Sequence, residues 1–272
     1  MSYTFVLIFA VLGYLISTVL IYRSIFANSD ITKAKPDMSF AFLIASISLV
    51  AHIIYAFDLS QLLSGLNFSL SSMIVLVSSI LVAIYLLGTI AMPIKRLGIL
   101  VFPLTAFSLV FSYLWNSDAS YLTANGGAFT AHILIAILAY SLLTIASIQA
   151  VLYVYQERQI KSHASPAMLS ALPPLQTMET LLFRLLAIGF ILLSLTLISG
   201  ALFSQQIFGL PFEFKHHTVL ALLGWAVFAG VLYTRFKNGI RGSKAAIWIL
   251  SGFLLIQLGY FGTKIVTEAL NF

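Results

Sequence analysis

Four of the five histidines lie near corresponding ends of long apolar stretches, and imidazole is the side chain in this chain best suited to bind iron. These four are His52, His132, His216 and His217, whereas His163 lies in a basic loop. An ionisable side chain within an apolar segment is costly and is therefore a candidate for function. Two imidazoles on facing helices suit a low-spin haem iron, which predicts a haem site.

Other chemistries remain open for the same histidines. Zinc also accepts imidazole, but its usual carboxylate or thiolate companions are not embedded nearby, and the chain has no cysteine. A proton or ion path would need acids inside the apolar segments, and the sequence places none in their middle. Each histidine alone is also compatible with a hydrogen bond to a neighbouring helix or with a place at the membrane interface.

The elements that carry these histidines are predicted to be membrane-spanning helices. The chain is 61% hydrophobic and 8% charged, whereas soluble proteins contain roughly 25% charged residues. A helix needs about 20 apolar residues to cross a bilayer, where every backbone amide must be paired. The sequence therefore predicts an all-α, polytopic membrane protein, a bundle of about eight transmembrane helices. The predicted segments are 3–23, 38–57, 70–91, 97–115, 129–155, 181–203, 217–236 and 245–269.

The basic residues predict the orientation of these helices. All of the 14 lysines and arginines except Lys215 and Lys264 lie in, or beside, alternate loops, and such loops are normally cytoplasmic. Both termini are then outside, and the four clustered histidines lie towards the outer surface. The net charge of +6 is explained by this topology, so no nucleic-acid partner is expected. The first segment lacks a basic start and a small-residue cleavage site, which favours a retained span.

Residues 1–272 are predicted to form a single transmembrane domain. The longest break between apolar segments is cytoplasmic and runs from Glu157 to Thr180, with Pro166 and the pair Pro173-Pro174 inside it. Since a proline pair cannot lie inside a helix, it is expected to set how the sixth helix starts.

Small residues follow two of the histidines at helical spacing. Ala136 and Ala139 follow His132, and Ala221 and Gly224 follow His217. Such a face could pack closely on another helix or form a smooth wall beside a flat ligand. The spacing gives His217 a slight preference over His216 as a ligand.

Several motifs resemble the cytochrome c assembly membrane family, the CcsA/CcmC/HemX group, and most nearly its YpjD-type inner-membrane branch. The resemblance is strongest over 129–264. It rests on Ala131-His132 with Leu138-Ala139-Tyr140, on Leu172-Pro173-Pro174-Leu175 with Met178-Glu179, on Gly189, Leu195-Thr196-Leu197 and Ser199-Gly200, on His216-His217-Thr218-Val219-Leu220 with Trp225, and on Arg241-Gly242 and Tyr260-Phe261-Gly262.

The resemblance implies an eight-helix scaffold that handles haem. It places His132 and His216 at the family's outer ligand positions for haem iron, and it matches His52 to an embedded histidine. It also shows departures, because the outer loop from Ser204 to Lys215 has no tryptophan and no histidine follows Tyr260-Phe261-Gly262. We therefore expect no platform for joining haem to apocytochrome c.

The predicted function is that of a haem-binding or haem-handling protein of the bacterial inner membrane, accessory to cytochrome c biogenesis. Its cofactor-binding residues would be His132, His216, His217 and His52, and its partners the lipid bilayer, haem and other biogenesis or membrane proteins. No catalytic residues and no enzyme activity are expected, because the sequence shows no nucleophile–base pair and no phosphate-binding glycine loop. The alternative is a regulatory protein of tetrapyrrole synthesis, or an ion-transport protein, on the same scaffold without haem.

Overall fold

The computed structural model describes residues 3–26, 38–60, 67, 69–115, 127–162, 173–202, 204 and 216–270. His163, Pro166, Leu172 and most of the tryptophan-free loop, residues 205–215, lie outside the described residues. The described part contains eight helical spans that are long and apolar enough to cross a membrane, which confirms the predicted fold class. The predicted outward orientation of both termini stays a prediction.

The first seven spans are single helices, apart from a short 3-10 turn, Lys95–Leu97, that opens the fourth. They are α1 Thr4–Phe26, α2 Met38–Ser60, α3 Leu70–Ala91, α4 Gly98–Leu114, α5 Gly127–Lys161, α6 Leu175–Leu202 and α7 His216–Asn238.

The ends of α5 and α6 differ from the predicted segments. Helix α5 continues past residue 155 to Lys161, and α6 begins at Leu175 instead of residue 181. Hydrophobicity marks the part of a helix that crosses lipid, whereas the backbone hydrogen bonds continue into polar residues at either end. Helix α6 starts directly after Pro173-Pro174, so the proline pair lies at the helix start as expected.

The last span is not a uniform helix. It consists of α8 Gly242–Gln257, a π-helical turn Leu258–Gly262, and α9 Thr263–Ala269, and together these form one apolar span. A π turn carries one extra residue per turn and often occurs where a helix has a functional or packing constraint.

The chain divides into two compact units. The first contains α1–α4, and the second contains α5 as far as Glu157 together with α6–α9. A single domain over residues 1–272 stays a prediction, and each unit is described separately.

The first unit is closely packed around its polar and aromatic groups. A Cβ on Gly13 would overlap the Ser48 hydroxyl, so α1 and α2 approach closely there. The Ser17 hydroxyl donates to the Ala41 carbonyl oxygen across the same interface, at 3.0 Å. Tyr14 stacks on Phe102 with ring centroids 5.7 Å apart. Tyr14 also contacts His52, with ring centroids 5.9 Å apart.

In the second unit, glycines allow α7 and α8 to pack backbone to backbone. A Cβ on Gly224 would lie 2.6 Å from Ile256 Cγ1 and 2.9 Å from the Gly252 carbonyl oxygen. Helix α7 also contacts α6, because the Trp225 indole donates to Ser194 Oγ at 2.8 Å. Helix α7 is therefore held from two sides.

Two acids occupy the end of the second unit that the charge distribution predicts to be cytoplasmic. Glu179, only 5% exposed, pairs with Arg235 at 2.6 Å. Glu157 accepts hydrogen bonds from both the backbone N–H and the hydroxyl of Ser243, in the first turn of α8. Glu179 is thus a buried acid that the sequence had not indicated, but it lies in the first turns of α6 and is neutralised by Arg235.

Candidate functional site

His132 lies in the second turn of α5, half-buried, with its ring directed at the end of α6. Its Nδ1 is 2.9 Å from Ser199 Oγ. The Ser199 hydroxyl hydrogen is directed at its own helix, donating to the Thr196 carbonyl oxygen at 3.1 Å. With that hydrogen directed at Thr196, Ser199 can accept from His132 Nδ1–H, and in that tautomer the imidazole lone pair is on Nε2.

Gly200 makes room for this imidazole. A Cβ at Gly200 would lie 3.1 Å from His132 Cε1, closer than ordinary van der Waals contact. The Ser199-Gly200 pair therefore supplies both the hydrogen-bond partner and the space for the ring. A histidine that binds metal normally has its second nitrogen oriented by such a partner.

His216 and His217 are the first two residues of α7, and both are exposed. The small face that follows His217 is used for packing. Gly224 lies against α8, and a Cβ on Gly259 in the π turn would lie 3.6 Å from Ala221 N. These small residues therefore contact neighbouring helices, and the choice between His216 and His217 as a ligand stays a prediction.

His52 has a different environment in the first unit, where it is completely buried. Its Nε2 is 3.2 Å from the Val75 carbonyl oxygen, which can only accept, so Nε2 carries the hydrogen. Its Nδ1 then accepts from the Tyr14 hydroxyl at 3.3 Å. Ser78 also donates to the Val75 carbonyl oxygen, at 3.1 Å. Both nitrogens of His52 therefore have partners on neighbouring helices, and its part in haem binding stays a prediction.

The described residues can be compared with what a metal ion and what haem would each require. Among the described residues, no three His, Cys, Asp or Glu side chains come together as a metal ion would require. Haem needs at most two axial ligands from the protein, because the porphyrin supplies the other four. A site with one or two imidazoles is sufficient for haem and insufficient for a structural zinc ion.

Three residues that shape these surroundings were not predicted as site residues. Ser199 and Gly200 were noticed only as part of a motif, and Gly259 was not singled out. A hydroxyl residue next to a glycine near the end of an apolar helix can indicate a histidine site. The hydroxyl can orient the imidazole ring, and the glycine makes space for it. The role of Gly259 depends on the π turn, which nothing in the sequence pattern indicated.

Comparison with known proteins decides the family. The model of the family described as "Cytochrome C assembly protein" matches residues 40–271. The chain belongs to the cytochrome c assembly protein family. This confirms the resemblance inferred from the motifs, and it covers α2–α9 together with most of the connecting segments.

One relative matches over most of its length, and others match over a smaller part. The inner membrane protein YpjD of Escherichia coli strain K12 is 29% identical over 227 residues, covering 83% of this chain and 83% of YpjD. The cytochrome c biogenesis protein CcsA of Chlamydomonas reinhardtii is 29% identical over 140 residues, covering 52% of this chain and 38% of CcsA. CcsA of Gloeothece citriformis is 30% identical over 112 residues, covering 41% of this chain and 34% of that protein. The chain is thus a multi-pass membrane protein of a cytochrome c biogenesis family.

Proposed function

We propose that this protein binds haem in a bacterial inner membrane and assists cytochrome c biogenesis. Its axial ligands would be His132 on α5 and His216 at the start of α7. The observation that supports this most is the orientation of His132, whose Nδ1 lies 2.9 Å from Ser199 Oγ. In the tautomer that donates from Nδ1 to Ser199, the lone pair would be on Nε2, and Nε2 would then coordinate iron.

The surroundings of His132 support its role as a ligand. The ring is half-buried and not sealed in the core, and Gly200 makes room for the ring itself at the end of α6. When bound, haem would supply an iron that accepts imidazole and changes between two oxidation states. The chain itself would bind and orient this group, and we propose that it forms no bonds as an enzyme.

We propose different roles for the remaining two candidates. The His217 carbonyl oxygen lies against the π turn, so the backbone of His217 takes part in the packing of α7. The side chain of His217 is the alternative ligand to His216. His52 would be a structural residue of the first unit, because ligation would require the loss of a hydrogen bond to Val75 or Tyr14.

The test is the reduced-minus-oxidised absorption spectrum of the detergent-purified protein from a haem-replete host. The variants are His132→Ala, His216→Ala, His217→Ala and His52→Ala. We expect a sharp low-spin haem signal in the natural protein. It should be lost in His132→Ala, lost or converted to high-spin in His216→Ala, and retained in His217→Ala and in whatever fraction of His52→Ala folds.

A folded natural protein with no haem signal, even after added hemin, would refute this proposal. The regulatory or transport alternative would then be favoured. A signal that survives in both His132→Ala and His216→Ala would show that haem binds elsewhere and would refute the ligand assignment alone.

A further inference from the structure

The π turn Leu258–Gly262 contacts both helices that carry the proposed ligands. On one side it meets α7, where a Cβ on Gly259 would lie 3.1 Å from the His217 carbonyl oxygen and 3.3 Å from Leu220 Cβ. A Cβ there would be closer than ordinary van der Waals contact. The approach involves the first turn of α7, the turn that contains His216.

On its other side the π turn meets α5 through Tyr140. The Tyr140 hydroxyl donates to the Ile256 carbonyl oxygen at 3.3 Å, just before the turn. The Tyr140 ring lies 5.9 Å from the rings of both Tyr260 and Phe261, centroid to centroid. Tyr140 follows His132 by eight residues, which is about 12 Å along α5.

We propose that this π turn is the spacer that sets the separation of α5 and α7, with Gly259 and Tyr140 as its positioning residues. A regular α-helix would present residues 258–262 in a different rotation, because the π turn takes in an extra residue. In a regular α-helix, the contact of Gly259 with α7 and the contact of Tyr260 and Phe261 with Tyr140 could not both form. The turn thus allows one helix to contact the two others at the same level.

This inference takes its purpose from the proposed haem site, but its test does not require haem. The chain has no cysteine, so Leu134→Cys on α5 and Val219→Cys on α7 would accept spin labels at those positions alone; both side chains are exposed. The distance between the labels reports the separation of the two helices.

Gly259→Leu is the decisive variant, and Gly230→Leu is its matched control. A leucine side chain at Gly259 would crowd the first turn of α7, where even a Cβ would lie 3.1 Å from the His217 carbonyl oxygen, whereas a Cβ at Gly230 on α7 meets nothing within 4 Å. We expect the label distance to change by about 2 Å in Gly259→Leu, the range over which helix separation varies with side-chain size. The control should show the natural distance.

The absorption spectrum distinguishes a spacer from a merely structural turn. In the haem-loaded protein, Gly259→Leu should lose the low-spin signal, and Gly230→Leu should keep it. An unchanged label distance in folded Gly259→Leu would overturn the inference. A changed distance with an unchanged low-spin spectrum would support the spacer role of the turn and overturn its link to haem ligation.

A second variant decides the matter if Gly259→Leu does not fold. Tyr140→Leu keeps an apolar side chain but removes the ring contacts and the hydrogen bond on the α5 side, so a broader distance distribution is expected, and an unchanged one would overturn the inference. If the natural protein binds no haem while these distances change, the proposed function fails and the spacer role of the turn is supported.

Discussion

His52 and His132 look alike in the sequence and differ in the folded protein. Each lies in an apolar helix of a separate unit. His52 is completely buried, with one nitrogen bonded to Val75 and the other to Tyr14. His132 is half-buried, and the hydrogen-bond partner of its Nδ1 lies beside a glycine that leaves space.

The difference teaches how to separate a structural from a ligand-binding histidine in a membrane helix. A structural imidazole uses both nitrogens to join neighbouring helices, because unpaired polar groups are costly in an apolar core. A ligand-binding imidazole needs one nitrogen oriented by the protein and one directed at the ligand. Burial and the identity of the ring's partners are therefore more informative than depth in the membrane.

The largest expected effect comes from removing the buried ring. His52→Ala leaves a cavity and takes the hydrogen-bond partner away from the Tyr14 hydroxyl, which should lower the free energy of unfolding by about 3 kcal/mol. His132→Ala should cost about 1 kcal/mol, because its ring is half-buried. Thermal unfolding of the haem-free proteins in detergent measures both. Equal losses would contradict the distinction between the two histidines.

A second effect concerns the buried charges of the second unit, which contrast with the neutral network around His52. Glu179→Gln leaves Arg235 without its carboxylate, and the Arg235 side chain is only 25% exposed. We expect a loss of about 2 kcal/mol, reduced from the value for a fully buried pair by solvent screening. The same unfolding assay applies.

The control for this variant is Glu268→Gln. Its pair with Lys264 is longer, at 3.8 Å, and lies within one helix, so the loss should be at most about 0.5 kcal/mol. If both variants lost the same stability, the Glu179–Arg235 pair would have no special structural role.

A substitution of Gly224, at the interface of α7 and α8, tests whether the small face of α7 packs on a helix or binds a ligand. Gly224→Ala forces a methyl group towards a backbone oxygen 2.9 Å away, which should cost about 1–2 kcal/mol through overpacking. Gly230→Ala, with open space around it, should be neutral or slightly stabilising. An altered haem spectrum in Gly224→Ala without loss of stability would instead indicate a ligand wall.

The smallest expected effect sharpens the description of His132. Ser199→Ala removes the acceptor of Nδ1–H and should weaken haem binding about 10-fold, with little change in unfolding temperature. Hemin titration of the purified protein measures this. Ser251→Ala is the control, because Ser251 is also bonded to a carbonyl of its own helix, at 3.0 Å, and should bind haem normally.

Much of the fold could be predicted because the bilayer imposes it. Every apolar segment of sufficient length had to become a helix, so the eight spans were recoverable from hydrophobicity alone. The helix ends were less predictable, since α5 and α6 continue into polar residues where composition no longer marks the boundary. The buried Glu179 was missed for a related reason, because its partner Arg235 lies 56 residues away in the chain.

The sequence by itself determined the membrane class, the number and order of the spans and the family, because these depend on composition and motif order. Only the tertiary structure decided that His52 is bonded through both nitrogens, that Ser199 orients His132, and that the small face after His217 packs on α8 and the π turn. The physical reason is that a hydrogen bond or a close glycine contact depends on which residues of different helices meet, and helical periodicity within one segment does not contain that information.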